Sequence, residues 1–400
     1  MASREPLSFY TTRDTVNNIV VFISDSLRYD ELPEAVANRG IKAHTVSAST
    51  FTGSSIPSMF TGRYPTKHRI WDFSDRLPER PAIFDAVSNT GYDVRGIWSW
   101  PLTVLRLDVP DWEVLKDRRL LPDIPEPFVY VLHDKGGHVP YGSPTEDWNS
   151  ASEFFACNQD PITLRSLYRE GIETSTSVLF ELLEILKERK ILEETLVVFT
   201  SDHGELLGSR GGLYGHGIPL VPELIRVPTV FLGAGLPAGK EYPSLISSVD
   251  LAPTLLGALG VSMRPSADGI NIWERDPDPE RCLQSHIWQE QENHPLNAQY
   301  QASGVWDASG GYVVHHNRFT RRCGSAIGQY FGEFGDVNRS CSPLDMIKVF
   351  INHLPKTRKY GDPAFNSETA RRNVPSDFHS QDTIKDVTPD EDQLQKLGYL

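Results

Sequence analysis

Residues 194–205 read ETLVVFTSDHGE, an apolar run from Leu196 to Phe199 that breaks within two residues into Ser201-Asp202-His203-Gly204. A continuous apolar run bounded by polar residues suits a strand buried on both faces of a sheet. The same pattern recurs along the chain. NNIVVFISDSLRYDEL (17–32) carries Ile19 to Ile23 and then Ser24-Asp25-Ser26, and GYDVRGIW (91–98), PFVYVLHD (127–134) and VPTVFLGAG (227–235) repeat it. Between these runs lie helical stretches. The clearest is 164–190, whose apolar residues recur at three- and four-residue spacing and which ends in basic residues. In DLAPTLLGALG (250–260), Asp250 suits a helix N-cap and Pro253 the first turn.

Strands alternating with helices predict an α/β fold: a mostly parallel central sheet with helices on both faces. Ligands of such sheets bind at the carboxyl ends of the strands. Asp25, Asp134 and the Ser201-Asp202-His203 phrase all fall at that edge.

The chain has 400 residues, 39% of them hydrophobic and 23% charged. That length calls for one large domain plus a smaller appendage, or for two domains. The texture changes after about residue 275, where strand-like pieces and the hairpin signal Gly310-Gly311 precede a polar tail. We assign 1–279 to a catalytic α/β domain and 280–400 to a smaller α+β subdomain with a partly irregular tail.

A net charge of −14 argues against a nucleic-acid partner, which needs a basic face, and fits a solvated acidic surface. Cys157, Cys282, Cys323 and Cys341 form no C-x-x-C pair. Buried free thiols are expected ahead of a Cys323–Cys341 bridge. No apolar leader and no run of about 18 apolar residues is present, so the expectation is a cytoplasmic protein with no membrane partner.

Asp25, Asp202 and His203 would bring two carboxylates and an imidazole to neighbouring strand ends. Such a set suits Mn²⁺, Zn²⁺, Mg²⁺ or Ca²⁺, with the imidazole favouring the transition metals. A single strand-end Asp is ordinarily a cap or turn former. Adjacent Asp and His followed by Gly leave less to cap and more to coordinate.

Seven phrases taken in order, IVVFISDSLRYD (19–30), FTGSSIPSMFTGRYP (51–65), GGHVPYGSP (136–144), VVFTSDHGELLG (197–208), ELIRVPTVFLGAG (223–235), SVDLAPTLLGALG (248–260) and the terminal LGYL, resemble the sulfatase family of the alkaline phosphatase superfamily. The resemblance covers about residues 17–260. It implies the alkaline phosphatase-like fold and a metal-held nucleophile nine residues before the Thr of TGRYP, which is Thr52. With Pro57 in the first turn of a helix starting near 55, Thr52 would lie close to a positive helix end. The other reading of Thr52 and Ser54 is as ordinary capping hydroxyls.

The departures from the family pattern carry as much information. Sulfatases use Cys or Ser in C/S-x-P-x-R, oxidised to formylglycine, whereas this chain reads Thr52-Gly53-Ser54-Ser55-Ile56. The resemblance therefore points away from formylglycine and towards the threonine nucleophile of phosphodiesterase, phosphonate-hydrolase and phosphoglycerol-transferase relatives. Ser26 stands where many relatives place a second metal-binding Asp.

The resemblance gives His138 a contact to the substrate's anionic oxygens. His216 stands where relatives carry an anion-gripping Lys, and it suits a cationic clamp, a general acid or a metal ligand. Asp134, His138 and His216 together suit a second zinc site. Arg28, Asp30, Arg63 and Arg226 are expected in structural salt bridges, and Lys135 within reach of substrate. His44, His68, His133, His315 and His316 are read as incidental.

The function expected from this resemblance is metal-dependent hydrolysis of sulfate or phosphate esters through Thr52, acting on an anionic small molecule or glycan. Two alternatives stand beside it. One is a phosphodiesterase, phosphonate hydrolase or phosphoglycerol-type transferase with one or two metals. The other is a catalytically silent anion-binding member of the family.

Overall fold

The computed structural model describes residues 5–88, 91–98, 120–142, 148, 150–262, 266–290, 299–331, 342–375, 378 and 384–385. Its centre is one sheet containing β1 (Asn18–Ser24), β2 (Ile41–Val46), β3 (Asp93–Trp98), β4 (Phe128–Asp134), β5 (Thr195–Thr200) and β6 (Arg226–Gly233). The order across the sheet is β2-β6-β5-β1-β4-β3, and the short strands Lys240–Glu241 and Ile246–Ser247 pair with β2. β1 runs parallel to both β4 and β5, whereas β6 is antiparallel to β5 and to β2. The expected mostly parallel sheet is present, with β6 as its reversed strand. β2 escaped the sequence reading because IKAHTV alternates, where β1, β4 and β5 carry continuous apolar runs.

Every residue of β1 is buried, and its side chains divide between two cores. Ile19, Val21 and Ile23 enter one, with Ile56, Met59 and Phe60 of α1 (Thr52–Thr61) and Leu251, Leu255 and Leu256 of the helix Leu251–Ala258. Val20 and Phe22 enter the other, against Leu164, Tyr168, Ile172, Leu179 and Leu186 of α2 (Pro161–Glu188). Strand alternation thus sandwiches the sheet between two helical layers. α2 starts three residues before the predicted 164, because the Asp160 carboxylate accepts the Thr163 amide and Pro161 takes the first helical position.

Two local expectations are corrected. Asp250 makes no side-chain cap for the helix it precedes. Its carboxylate receives the amides of Ser247 and Ile270 and a bidentate pair from Arg281 at 2.8 and 2.9 Å. The helix of the hydroxyl-rich segment starts at Thr52, not near 55, so Pro57 lies inside it.

The chain then builds a second, antiparallel sheet from β7 (Leu283–Glu290), β8 (Gln299–Trp306), β9 (Gly310–His315) and β10 (Thr357–Gly361), with α3 (Phe319–Phe331) and α4 (Pro343–His353) between its last two strands. Gly310 and Gly311 open β9 itself and pair with β10 at Gly361 and Tyr360, while 307–309 form the hairpin loop. From the tail, Ile384–Lys385 pairs back onto Asp75–Arg76 of the first region. The terminal LGYL and Cys341 lie outside the described residues. Cys157, expected to be buried, is exposed, while Cys282 and Cys323 are partly buried, and these three are free thiols. No described helix is long and apolar enough to cross a membrane.

Candidate metal centre and nucleophile

Asp25 follows the last residue of β1, and Asp202 and His203 follow β5, so adjacent parallel strands deliver them to one edge. All three are buried, and their ligand-capable atoms lie within 4.8 Å of one another. Among the described residues this is the one such cluster. Two glycines let the strand-end turns close on it. A Cβ at Gly136 (φ +52°) would sit 2.7 Å from the Asp25 carbonyl oxygen, and one at Gly204 would sit 2.1 Å from the Glu223 carbonyl oxygen.

The hydrogen bonds fix how each donor points. His203 Nδ1 lies 2.9 Å from the Gly204 carbonyl, which requires the proton on Nδ1 and turns the Nε2 lone pair into the cluster. Asp202 Oδ1 accepts the amides of His203 (2.9 Å) and Ser26 (3.4 Å), while its buried Oδ2 has no hydrogen-bond partner. A buried carboxylate oxygen left unsatisfied is costly unless a cation meets it. Burial would raise the Asp202 carboxyl, but His203, His133 and Thr52 hold it well below the usual carboxylate range. Two anionic oxygens and an imidazole nitrogen fit a divalent metal ion.

Thr52 is the first residue of α1, and its Oγ1 lies 2.9 Å from His203 Nε2. The hydroxyl caps nothing, and the N-cap is the extended Phe51. Most neighbouring hydroxyls are engaged elsewhere. Ser54 donates to the Ile70 carbonyl, Ser55 to Ser49, Ser58 to Ser54, Thr61 to Pro57, Thr50 to Gly217 and Ser47 to Ser49 and Asp202. Ser54 is thus not a cap either.

Ser26 occupies a left-handed conformation (φ 60°), and its Oγ donates to Asp25 Oδ1 at 2.9 Å. Where relatives of the pattern place a carboxylate, this chain supplies a hydrogen bond to one.

Three imidazoles crowd into the site, tilted against one another, with His216 4.4 Å from His203 and 4.8 Å from His138, centroid to centroid. Burial lowers His216 to about 4 and His138 well below the ordinary value. The free site therefore presents neutral imidazoles at pH 7, and His216 is not a standing cationic clamp. Asp134 does not join them: its Oδ1 caps the turn at Gly136, so no Asp134–His138–His216 metal cluster forms. Lys135 sits close enough to act electrostatically on His138, and burial lowers its ammonium to about 8.

Two side chains at the site were missed or set aside by sequence reasoning. His133 Nε2 lies 3.5 Å from Asp25 Oδ2 and 3.9 Å from Asp202 Oδ2. Its register opposite Ile23, one residue before both strands end, was the available signal. Glu205, fully buried, places Oε2 3.3 Å from His216 Nδ1 and accepts the Tyr141 hydroxyl at 2.5 Å on Oε1. Burial lifts Glu205 to about 8. The acid directly after SDHG, in so apolar a stretch, could have flagged it.

Of the four charged residues expected in salt bridges, Arg28 and Asp30 pair bidentately at 2.6 and 2.8 Å. Arg63 instead bonds Ser266, and Arg226 the carbonyls of Asp307 and Gly310, because those turns bring backbone and hydroxyl oxygens to the guanidinium.

A family model described as Sulfatase matches residues 114–261. Along 99% of its length the chain is 34% identical to the low-salt glycan biosynthesis sulfotransferase Agl7 of Haloferax volcanii, 99% of which is covered. Arylsulfatase K of Mus musculus is 28% identical over 27% of this chain and 19% of its own. Among solved structures, the phosphonate monoester hydrolase of Agrobacterium radiobacter superposes with a TM-score of 0.59 at 16% identity, covering 75% of this chain and 87% of its own. A protein solved with its substrate D-glucosamine-2-N,6-O-disulfate gives 0.57 at 15% identity, covering 76% and 89%. The solved structures show the alkaline phosphatase-like fold, and with the full-length similarity they make this chain a member of the sulfatase family.

Proposed function

We propose that the protein is a metal-dependent enzyme of sulfate or phosphate esters in which Thr52 takes the anionic group from the ester. The observation that carries this reading is the meeting of Thr52 Oγ1, His203 Nε2 and, 3.5 Å from that nitrogen, Asp202 Oδ2 in one buried cluster. Asp25, Asp202 and His203 would hold a divalent cation, which supplies Lewis acidity and lowers the pKa of a bound hydroxyl.

The bond from Thr52 Oγ1 to sulfur or phosphorus forms as the bond to the leaving oxygen breaks, and the threonine proton is lost to solvent. Glu205, which burial keeps protonated, passes its proton to His216 Nδ1 as the other ring nitrogen protonates the leaving oxygen, and the attacking hydroxyl of the second step returns that proton through His216. His138 and Lys135 face the anionic oxygens. Water or an acceptor hydroxyl then attacks the same sulfur or phosphorus, and Thr52 recovers its proton as it leaves.

The full-length similarity to a named glycan biosynthesis sulfotransferase favours an acceptor hydroxyl on a glycan over water. A phospho-threonine also cleaves more readily than a sulfated one, so the donor's identity is the discriminating question. The test is a panel of aryl sulfate, phosphate monoester, phosphodiester and phosphonate donors, each with Mn²⁺, Zn²⁺, Mg²⁺ or Ca²⁺ and with or without a sugar acceptor. Turnover that depends on Thr52 and on metal supports the reading. No turnover under any combination, together with no bound metal, favours a silent anion-binding protein.

A further inference from the structure

α4 buries Val349, Asn352 and His353 against α3 and against residues 209–212 of the first region, where Asn352 donates to the Arg210 carbonyl. Its other side is apolar and open, with Leu344, Ile347 and Ile351 exposed by 69, 52 and 48%. At about 100° per residue these three fall within about 60° of one another, a single stripe along the helix, with Lys348 beside it. α3 packs on α4, and its first residue, Phe319, is 58% exposed.

The surroundings are basic in a chain that is otherwise acidic. The described residues 311–331 and 342–373 hold nine lysines and arginines against three acids, where the whole chain carries −14. Several of these cations lack a compensating acid. Arg322 is buried, and its Nε and Nη1 have no hydrogen-bond partner. Burial first, and then the neighbouring Arg322 and Arg371, depress the Lys356 ammonium. The nearby Asp345 is occupied by the N-cap Ser342 and by Lys348.

We propose that α4 and the cations around it form a docking face for an anionic lipid surface, with the Leu344–Ile347–Ile351 stripe entering the acyl boundary and the basic groups meeting headgroup phosphates. An amphipathic helix with apolar residues on one side and cations alongside binds such surfaces by both terms at once. A second copy of the chain fits less well, because pairing this face with itself would set like charges opposite one another. The acidic remainder of the molecule is repelled by the same surface, so only this side can approach. The absence of a described membrane-crossing helix does not bear on attachment of this kind.

Flotation with vesicles of phosphatidylcholine, with and without phosphatidylglycerol, tests the proposal. The full chain is expected to float with the anionic vesicles at low salt and to be released by high salt. Ile347→Glu/Ile351→Glu is expected to lower the bound fraction about ten-fold or more. Lys348→Glu/Lys356→Glu should lower it about ten-fold and flatten the salt dependence. Thermal unfolding controls for the fold, and Thr52→Ala is expected to float like the parent chain, so the result stands apart from catalysis. Equal flotation of Ile347→Glu/Ile351→Glu and the parent would overturn the proposal. So would a dimer by light scattering that this substitution disperses in a chain that binds no vesicles.

Discussion

Thr52 Oγ1 lies 2.9 Å from His203 Nε2, joining residues 151 positions apart in the chain. The helix that starts at Thr52 and the strand that ends before His203 meet only because both pack on the same sheet edge. A hydroxyl that meets both His203 and Asp202 can be tested by exchange.

Thr52→Ala is expected to lower kcat for the best donor by at least about 10³-fold, as loss of a nucleophile does. Thr52→Ser should retain a measurable part of it. Steady-state kinetics at saturating metal, with circular dichroism as the fold control, reads both. An alanine variant as active as the parent would remove Thr52 from the chemistry.

Asp202→Asn removes one anionic oxygen from the cluster, so the purified variant is expected to carry little or no divalent metal by elemental analysis. His133→Gln keeps a polar group but withdraws the imidazole 3.5 Å from Asp25. Metal affinity should fall about 10–100-fold, the range for partners that orient metal ligands. Competition with a chelator measures both changes. Unchanged affinity in His133→Gln would return that residue to the incidental class.

Glu205 gives a pH dependence whose sign is fixed. Its folded-state pKa is raised by burial to about 8, above its ordinary value of 4.5. The folded protein therefore holds this proton where the unfolded chain has lost it. Its contribution to stability is full below the unfolded value and is lost as pH rises through about 8, at up to about 1.4 kcal/mol per pH unit. Urea unfolding of metal-free protein should show this decline, and Glu205→Gln should flatten it. A parent and variant with parallel pH profiles would contradict the assignment.

Arg281 pairs bidentately with Asp250, whose carboxylate is fully buried. Arg281→Met leaves that carboxylate without its cation, which is expected to cost about 3–5 kcal/mol. Chemical denaturation measures it. A loss below about 1 kcal/mol, the range of exposed pairs, would mean that solvent reaches Asp250.

Much of this was legible in the sequence. The runs 19–23 and 196–199 announced buried strands because both faces of the sheet are covered, and the polar residues that break them fell where the site is. β2 was not legible, since its alternating IKAHTV gives a weaker signal than a continuous run. The start of α1 was misplaced by the usual preference of Pro for first turns, a preference that Pro57 does not follow. His133 and Glu205 were passed over because neither belongs to a motif. Their roles come from register across β1 and β4 and from a turn that folds Glu205 under His216, which spacing along one chain does not encode. Asp134 was the converse case, a strand-end acid whose oxygen serves only its own turn.

Because alternate residues of β1 are gripped by opposite helical layers, the strand that delivers Asp25 is clamped from above and below at once. A methyl group shaved from Val21 or from Phe22's neighbours would be transmitted along a rigid rod to the carboxylate at its tip. Warming should therefore blur the coordination geometry before the molecule melts, and catalytic decay would serve as an early thermometer of slackening in either layer.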